Sequence, residues 1–460
     1  MLRLTHMMVV FLLALLLPAG CTPPPTVTRT VIPPGPIATD TPLTPVSTEY
    51  FFDSINGDDN AIGTSKSTPW KSLAKMNGHE FKPGDIINLR RGSFWTGGLV
   101  ITRSGTAANP ITFRAYGDGE NPIFENPGDG VYDTHAVHIN GSYITMENIL
   151  ARNSFYSGFY IGQNASHNVI REVEATNTGI GIAVNGANNL ITNSYIHDLK
   201  MVVNDVGGAG NDYGAVGVEI FNGPNEISYN RLINCRAPSH DFGYDGGALE
   251  IYLLYGNADN SSFHHNYAEN TNGFIEIHSR DLLYSANNVT IAQNVIVASK
   301  NFLDIGLPGY GGGHELKSAQ NIRLGQNTYV DAIPLAESDW AGSIFSFHDV
   351  TPGADQISIQ NNIIYTMNSW WIAKTEVTDG GFTHTNNIYY LNAQRSELGF
   401  TLTPTEKRID PQFVDIKQYN LHLAATSPAI DAGIDLGYVL DFDDHPMPNG
   451  TAPDIGAYEY

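Results

Sequence analysis

Apolar and polar residues alternate with a period of two in short segments over most of the chain, the pattern of half-buried strands. The first such segments are 85–89, 98–102 and 111–116. Beyond them a repeat takes over: an apolar-x-apolar strand, a Gly/Asn-rich turn, a second strand, then an Asn followed by a third short strand. The Asn falls at Asn193, Asn230, Asn266, Asn294, Asn327 and Asn362, at intervals of 37, 36, 28, 33 and 35 residues. Constant strand patterns at variable spacing mean loops of different length on a fixed coil. Asn tolerates left-handed backbone and can hydrogen-bond a stacked copy of itself, so a turn ladder is expected. Units of three short strands without helices predict an all-β parallel β-helix, a solenoid; leucine-rich, helical and propeller repeats have other signatures. Ahead of the repeat, Thr68-Pro69-Trp70 reads as an N-cap followed by Pro at the first helical position. Trp70, Leu73 and Ala74 then give the apolar face of a short helix ending before Asn77-Gly78, a cap over the first coil.

Within the repeat, four segments share a sharper pattern: Val218-Glu219-Ile220, Leu249-Glu250-Ile251, Ile275-Glu276-Ile277 and Leu303-Asp304-Ile305. Each is a carboxylate between two branched aliphatics. If successive coils stack, Glu219, Glu250, Glu276 and Asp304 form a column on the outer face at about 4.8 Å per step. Ala183 precedes the column and Ser346 follows it. Like charges that close are destabilising without a metal, a shared proton or a bound ligand to compensate. The blander reading is a solvated face that happens to be acidic.

The formal net charge of −23, from 47 acidic and 24 basic residues, excludes a nucleic-acid-coating role. It suits neutral glycans or cation binding. The N-terminus reads as a bacterial export signal: Arg3, an apolar run over 7–17 too short to favour a spanning helix, then Pro18-Ala19-Gly20-Cys21, which resembles a lipobox. Lipidation at Cys21 is expected, giving a secreted, cell-surface lipoprotein whose membrane contact is through the lipid alone. Pro18 stands where such boxes usually carry Leu; an ordinary secretory signal is the alternative. Residues 22–48 form a Pro/Thr-rich tether, 49–400 the solenoid and 401–460 a C-terminal capping module. Cys235 lies in a strand-like run and is expected as a buried hydrophobe.

The segments Pro83-Gly84-Asp85-Ile86-Ile87-Asn88-Leu89-Arg90-Arg91-Gly92 and Asn109-Pro110-Ile111-Thr112-Phe113-Arg114-Ala115-Tyr116 resemble the right-handed parallel β-helix superfamily of pectate-lyase-like proteins. Ser427-Pro428-Ala429-Ile430-Asp431-Ala432-Gly433 and Asp454-Ile455-Gly456-Ala457-Tyr458-Glu459-Tyr460 are similar to a terminal module of bacterial surface β-helix proteins. The resemblance implies a right-handed coil and carbohydrate-active chemistry without fixing the reaction, because the fold hosts lyases, hydrolases, epimerases, esterases and adhesins.

Long insertions at 198–215, 236–247, 307–320 and 336–342 fall on the coils that carry the column and predict a cleft over 217–306. Tyr244, Tyr252, Tyr255, Tyr310 and Trp340 offer flat faces for sugar rings. Glycoside hydrolysis needs two carboxyl groups, ~5–5.5 Å apart for retention or ~6.5–9.5 Å for inversion, and adjacent or alternate rungs approach these spacings. Glu250 and Glu276 are the leading pair, Asp245 and Asp304 the alternates, and His278 shares the outward face of Glu276. No cofactor is required, although Glu219, Glu250 and Glu276 could hold calcium. Thr271-Asn272-Gly273-Phe274-Ile275-Glu276-Ile277-His278-Ser279-Arg280 is similar to chondroitinase-B-like and alginate lyases, which implies Glu276 as a calcium ligand and Arg280 as a basic catalyst. Phe274 and Asp281 depart from that pattern, and an acidic face lacks the cationic subsites a uronate wants. A polysaccharide hydrolase acting as a monomer therefore ranks first, a calcium-dependent lyase second, and a non-catalytic glycan-binding solenoid or adhesin third. Weaker signals are His264-His265, of which at most one imidazole reaches the column, Gly311-Gly312-Gly313 as loop, and Asp441 to Asp444 as an acidic turn.

Overall fold

The computed structural model describes residues 47–128, 130, 133–208, 210–331, 342–348, 350–368, 371–373, 381–391 and 397–460. The export segment with Cys21, the tether to residue 46 and Trp340 lie outside the described residues.

Three long parallel sheets are built from residues 49 to 408, two of 12 strands and one of 10, each coil giving one strand to each sheet. The chain is a right-handed parallel β-helix. The first sheet runs from Glu49–Phe52 to Thr383–Thr385, the second from Phe94–Thr96 to Lys407–Arg408, and the third from Leu99–Ile101 to Trp371–Ala373. Inward residues stack in files, one per coil. In the third sheet Val137, Phe159, Ile182, Val218, Leu249, Ile275, Leu303 and Phe345 are in mutual register, and all are buried. Each layer covers the apolar faces of its neighbours, so no single coil has a core of its own.

The Asn ladder divides its two expected roles between adjacent residues. Asn230, Asn266, Asn294, Asn327, Asn362 and Asn387 are buried; each side-chain oxygen from Asn266 onward accepts from the amide N–H of the previous rung at 2.8–3.1 Å. The left-handed backbone belongs to the residue before each: Tyr229, His265, Gln293, Gln326, Asn361 and Asn386. Asn193 is one of these left-handed residues and not a rung. Ser194 holds the ladder position, its N–H donating to Asn230 Oδ1 at 3.0 Å.

Other expectations shift. The helix spans Leu73–Gly78 with Ser72 as its N-cap, whose side chain accepts from the Lys75 N–H. Trp70 is outside it, bridged to Phe52 and stacked on Tyr50, because its indole completes the first coil. The capping role ends near Glu406, whose Oε1 accepts from Asn387 Nδ2 and the Tyr389 hydroxyl and so terminates the ladder. The remainder of the C-terminal segment lies along the side of the coils: Leu421, Ala457 and Tyr458 cover outward-facing Val295, Val297 and Val330. His264 ends a strand of the first sheet, away from the column, and His265 follows it in the turn, its Nε2 meeting the Asp441 carbonyl at 3.0 Å. Asp441 forms the acidic turn, its Oδ1 accepting from the Asp443 and His445 amides. Cys235 is buried, as expected.

Candidate active site

The column forms in the third sheet. Ala183, Glu219, Glu250, Glu276, Asp304 and Ser346 pair in unbroken register on successive strands. Alternation turns the flanking Val218/Ile220, Leu249/Ile251, Ile275/Ile277 and Leu303/Ile305 into the core and the carboxylates outward. The insertions at 198–215 and 236–247 come up beside them, Tyr213 reaching Glu219 and Asp245 the cleft, while residues 336–341 of the last insertion lie outside the described residues. The first two are antiparallel hairpins where irregular loops were expected: Met201–Val203 with Tyr213–Gly214, and Ala237–Ser239 with Gly243–Asp245. Asp212 locks one to the other by accepting from the Ser239 hydroxyl at 2.7 Å. The resulting cleft of about 140 Å³ is lined by Asp245, Glu250, Glu276, Lys300 and Asp304, with Asn272 and Asn301 at its edge. A larger groove of about 350 Å³ lies over the Asn-rich turns of the first sheet and carries no such acid cluster.

The four rungs are in different electrostatic states. Glu219 is buried, and burial pushes its carboxyl up to about 8 despite hydrogen bonds from Tyr213, whose hydroxyl donates to Oε1 at 2.5 Å, and from Tyr156. Glu250 is raised well above the carboxylate range by burial first, then by the charges of Glu276, Glu219 and Asp245. Glu276 is raised by desolvation and by Asp304 and Asp245, while His278 pulls it down. Its side chain is 52% exposed in the open cleft, so water screens much of that rise until a ligand covers it. At Asp304, burial acts upward but is outweighed by hydrogen bonds from His278 Nε2 at 3.0 Å and His348 Nε2 at 2.6 Å, which hold the carboxyl well below its usual range. Burial works to lower His278, but Asp304 and Glu276 raise it overall; its Nε2 also lies 3.4 Å from Glu276 Oε1. Glu250, raised well above its ordinary range, therefore sits one rung from Glu276, whose rise His278 opposes.

Of the expected substrate contacts, Tyr252 pairs in register with His278, and its hydroxyl is 3.1 Å from His314 Nδ1. Tyr244 carries the Arg236 guanidinium over its ring at 3.9 Å on the second hairpin. Tyr310 lies against His348, with ring centroids 4.1 Å apart. Arg280 is outside the cleft, in a short 3₁₀ turn after Ile275–Ser279, paired at 3.3 Å with Asp281. The basic group at the carboxylates is instead Lys300, which burial lowers while Asp304 and Asp245 raise it. The expectation of a wholly acidic face is thus corrected. Asp245, an expected alternate, lines one edge of the cleft together with Asn272-Gly273 and Lys300-Asn301, which lie in turns before the strands and were not expected there. His348, beyond the last rung, was missed for the same reason.

Residues 51–275 match the family model described as Pel9A-like, right handed beta helix region. The fold is that of the pectate-lyase-like β-helices. Among solved structures, this β-helix is similar to pectate lyase Pel9A, with a TM-score of 0.55 and 15% identity over 90% of this chain and 96% of that one. It is similar also to XylC in complex with xylose, with a TM-score of 0.54 and 10% identity over 89% and 98%. At these identities the likeness concerns the fold alone. A curated relative, a lacto-N-biosidase of Bifidobacterium longum subsp. longum, is 30% identical over 198 residues, which is 33% of this chain and 12% of that one. The β-helix thus matches about an eighth of that relative's length.

Calcium takes six to eight oxygen ligands. Among the described residues, the groups of three whose donor atoms lie within 4.8 Å of one another are His278–Asp304–His348 and Asp133–His135–His138. Both are rich in nitrogen donors, and Glu219, Glu250 and Glu276 form no such group. Glu219 is committed to Tyr213, and Lys300 supplies positive charge beside Glu276 and Asp304. The column as built does not fit calcium.

Proposed function

We propose that this β-helix is a glycoside hydrolase acting on an extracellular glycan, with Glu250 as general acid and Glu276 as its ionised partner. The observation that carries this reading is the pairing of the two residues on adjacent strands in unlike surroundings. Burial and three neighbouring carboxylates keep the proton on Glu250; His278 stabilises charge on Glu276. Such a split between paired acids assigns donor and acceptor. Neighbouring strands stand ~4.8 Å apart, close to the ~5–5.5 Å separation of retaining enzymes. In that mechanism Glu276 attacks the anomeric carbon while Glu250 gives its proton to the departing glycosidic oxygen. Glu250 then takes a proton from water, which displaces Glu276 and regenerates both groups. Asp304, bound by two imidazoles, orients His278. Tyr252 and Tyr244 supply ring faces at the margins. The lacto-N-biosidase relative supports a glycosidase; export and lipid attachment at Cys21 belong to the same reading.

A glycan screen scored together for reducing ends and for unsaturated ends tests it. Reducing ends alone are expected, with retained anomeric configuration by proton NMR, and turnover should fall about 10²–10⁴-fold in Glu250→Gln. Azide should restore bond cleavage in Glu276→Ala as a glycosyl azide. Unsaturated ends would instead make the protein a lyase with Lys300 as the base; inversion would shift the pair to Glu250 and Asp304.

A further inference from the structure

A second cluster of titratable side chains lies on the third sheet, away from the cleft. His138 belongs to the same outward file as the column: His138, Tyr160, Ala183, Glu219 and Glu250 are in consecutive register, which puts His138 four rungs, roughly 19 Å, from Glu250. His135, three residues earlier, would point to the opposite face of a regular strand. It does not, because the coil turns a tight corner at the residue after it. Ala136, Gly158, Gly181, Gly217 and Ala248 occupy that position in successive coils. A Cβ at Gly181 would come within 2.5 Å of the Gly217 carbonyl, and one at Gly217 within 2.4 Å of the Ala248 carbonyl. Beyond this corner the file of His135, Ser157, Ile180 and Val216 faces outward, where Ile180 and Val216 pack with Ala183, Tyr156 and Tyr160 in a cluster separate from the core. His135 and His138 therefore share one face, their ring centroids 5.0 Å apart.

We propose that Asp133, His135 and His138 form a binding site for a divalent transition-metal ion of the zinc class. One donor atom from each lies within 4.8 Å of the others. His135 Nε2 is 3.3 Å from Asp133 Oδ1. Two imidazoles and one carboxylate, with a position left for water, make a common set for zinc and a poor one for calcium. Each imidazole is oriented from outside the cluster, as metal-ligating histidines usually are. His135 Nδ1 lies 2.8 Å from Ser157 Oγ, and His138 Nε2 lies 3.1 Å from Asn140 Oδ1. Tyr160 walls the site: its ring stacks on His135 at 4.1 Å and meets His138 edge-on at 4.7 Å, and its hydroxyl accepts from Asn185 Nδ2. The His135 side chain is 2% exposed and that of Asp133 81%, so the carboxylate is free to swing inward while the imidazole is fixed. The bound ion would pin the segment around Asp133 to the sheet. The other candidate, His278–Asp304–His348, is less apt. There one carboxylate oxygen already accepts from both imidazoles, and a metal would have to displace both protons.

Metal-stripped full-length protein titrated with Zn²⁺ against a chromophoric chelator, and with Co²⁺ for its d–d absorption, tests the site. One tight equivalent is expected. It should persist in Asp304→Asn and disappear in the His135→Ala/His138→Ala double variant, with the β-sheet circular dichroism of the double variant as a check on folding. Asp133→Asn alters a mostly exposed side chain and leaves the coil intact; it should weaken Zn²⁺ binding about tenfold or more. Unchanged affinity in Asp133→Asn, loss of the equivalent in Asp304→Asn, or its survival in the double variant would each overturn the assignment. The outcome is independent of whether the cleft hydrolyses glycans.

Discussion

Glu219→Gln removes the most deeply buried carboxyl of the column while keeping its shape. Glu219 is 2% exposed, and its carboxyl titrates near 8 in the fold, against 4.5 ordinarily. The groups facing it are Tyr213 and Tyr156, which donate to it, and Glu250 on the next strand. Between those two pH values the folded chain holds one proton more than the unfolded chain, so stability falls as pH rises. This contribution is fully present below about pH 4.5 and is lost as pH passes through about 8. The gap of about 3.5 pH units, at about 1.4 kcal/mol each, bounds the loss at about 5 kcal/mol. An unfolding entropy of ~2.1 cal/mol/K per residue gives this chain about 1 kcal/mol per degree, hence a shift of about 5 °C. Melting curves by circular dichroism at pH 5 and pH 8 measure it. About 3.5 of those kcal/mol fall between pH 5 and pH 8, so the native protein should lose about 3–4 °C more across that interval than the Gln variant, which has no proton to release. Parallel declines would mean that Glu219 is charged in the fold, and the graded column of protonation states would have lost its anchor.

Three further outcomes follow from the column and from the Asn ladder. Asp304→Asn removes the strongest of the contacts that raise His278 and leaves Glu276 to oppose burial, so the imidazole pKa read by NMR should move down; an unchanged titration would mean that Asp304 does not hold His278. Asn294→Ala removes the acceptor for the buried Asn266 amide at 3.0 Å and the donor to the Phe263 carbonyl at 3.0 Å, and should cost about 2–4 kcal/mol in urea unfolding. Asn193→Ala, on the left-handed residue outside the ladder, should cost under about 1 kcal/mol.

The scaffold was legible because its determinants are local and repeated. Strand alternation at 111–116, the Asn spacing and the acid-centred strands each depend on period two within a coil and stacking between coils, and the register of Glu219, Glu250, Glu276 and Asp304 follows from those alone. The errors arose where one residue carries two meanings. Asn193 looks like a rung because it is an Asn beside a strand, whereas Ser194 makes the hydrogen bond, so the interval of 37 residues was one too long. Trp70 looked helical because it follows a Pro; its ring is spent on Phe52 and Tyr50.

The chemistry was legible only on the strands. Between coils the chain passes through turns whose residues also stack, yet they lack the apolar flanks that mark a strand in sequence. Lys300 reaches the carboxylates from such a turn, whereas Arg280, implied by the lyase resemblance, follows Glu276 along one strand while the cleft is assembled across three coils. The same blindness hid His135 and His138, because a spacing of three within a strand ordinarily means opposite faces. The run of Ala136, Gly158, Gly181, Gly217 and Ala248 was the available clue. A file of small residues at one position in consecutive coils marks a corner with room for a methyl group at most, and beyond such a corner the parity of every outward position reverses. In a β-helix, then, alternation predicts which residues face out only between corners, and sites built from residues on both sides of one must be sought by stacking small residues first.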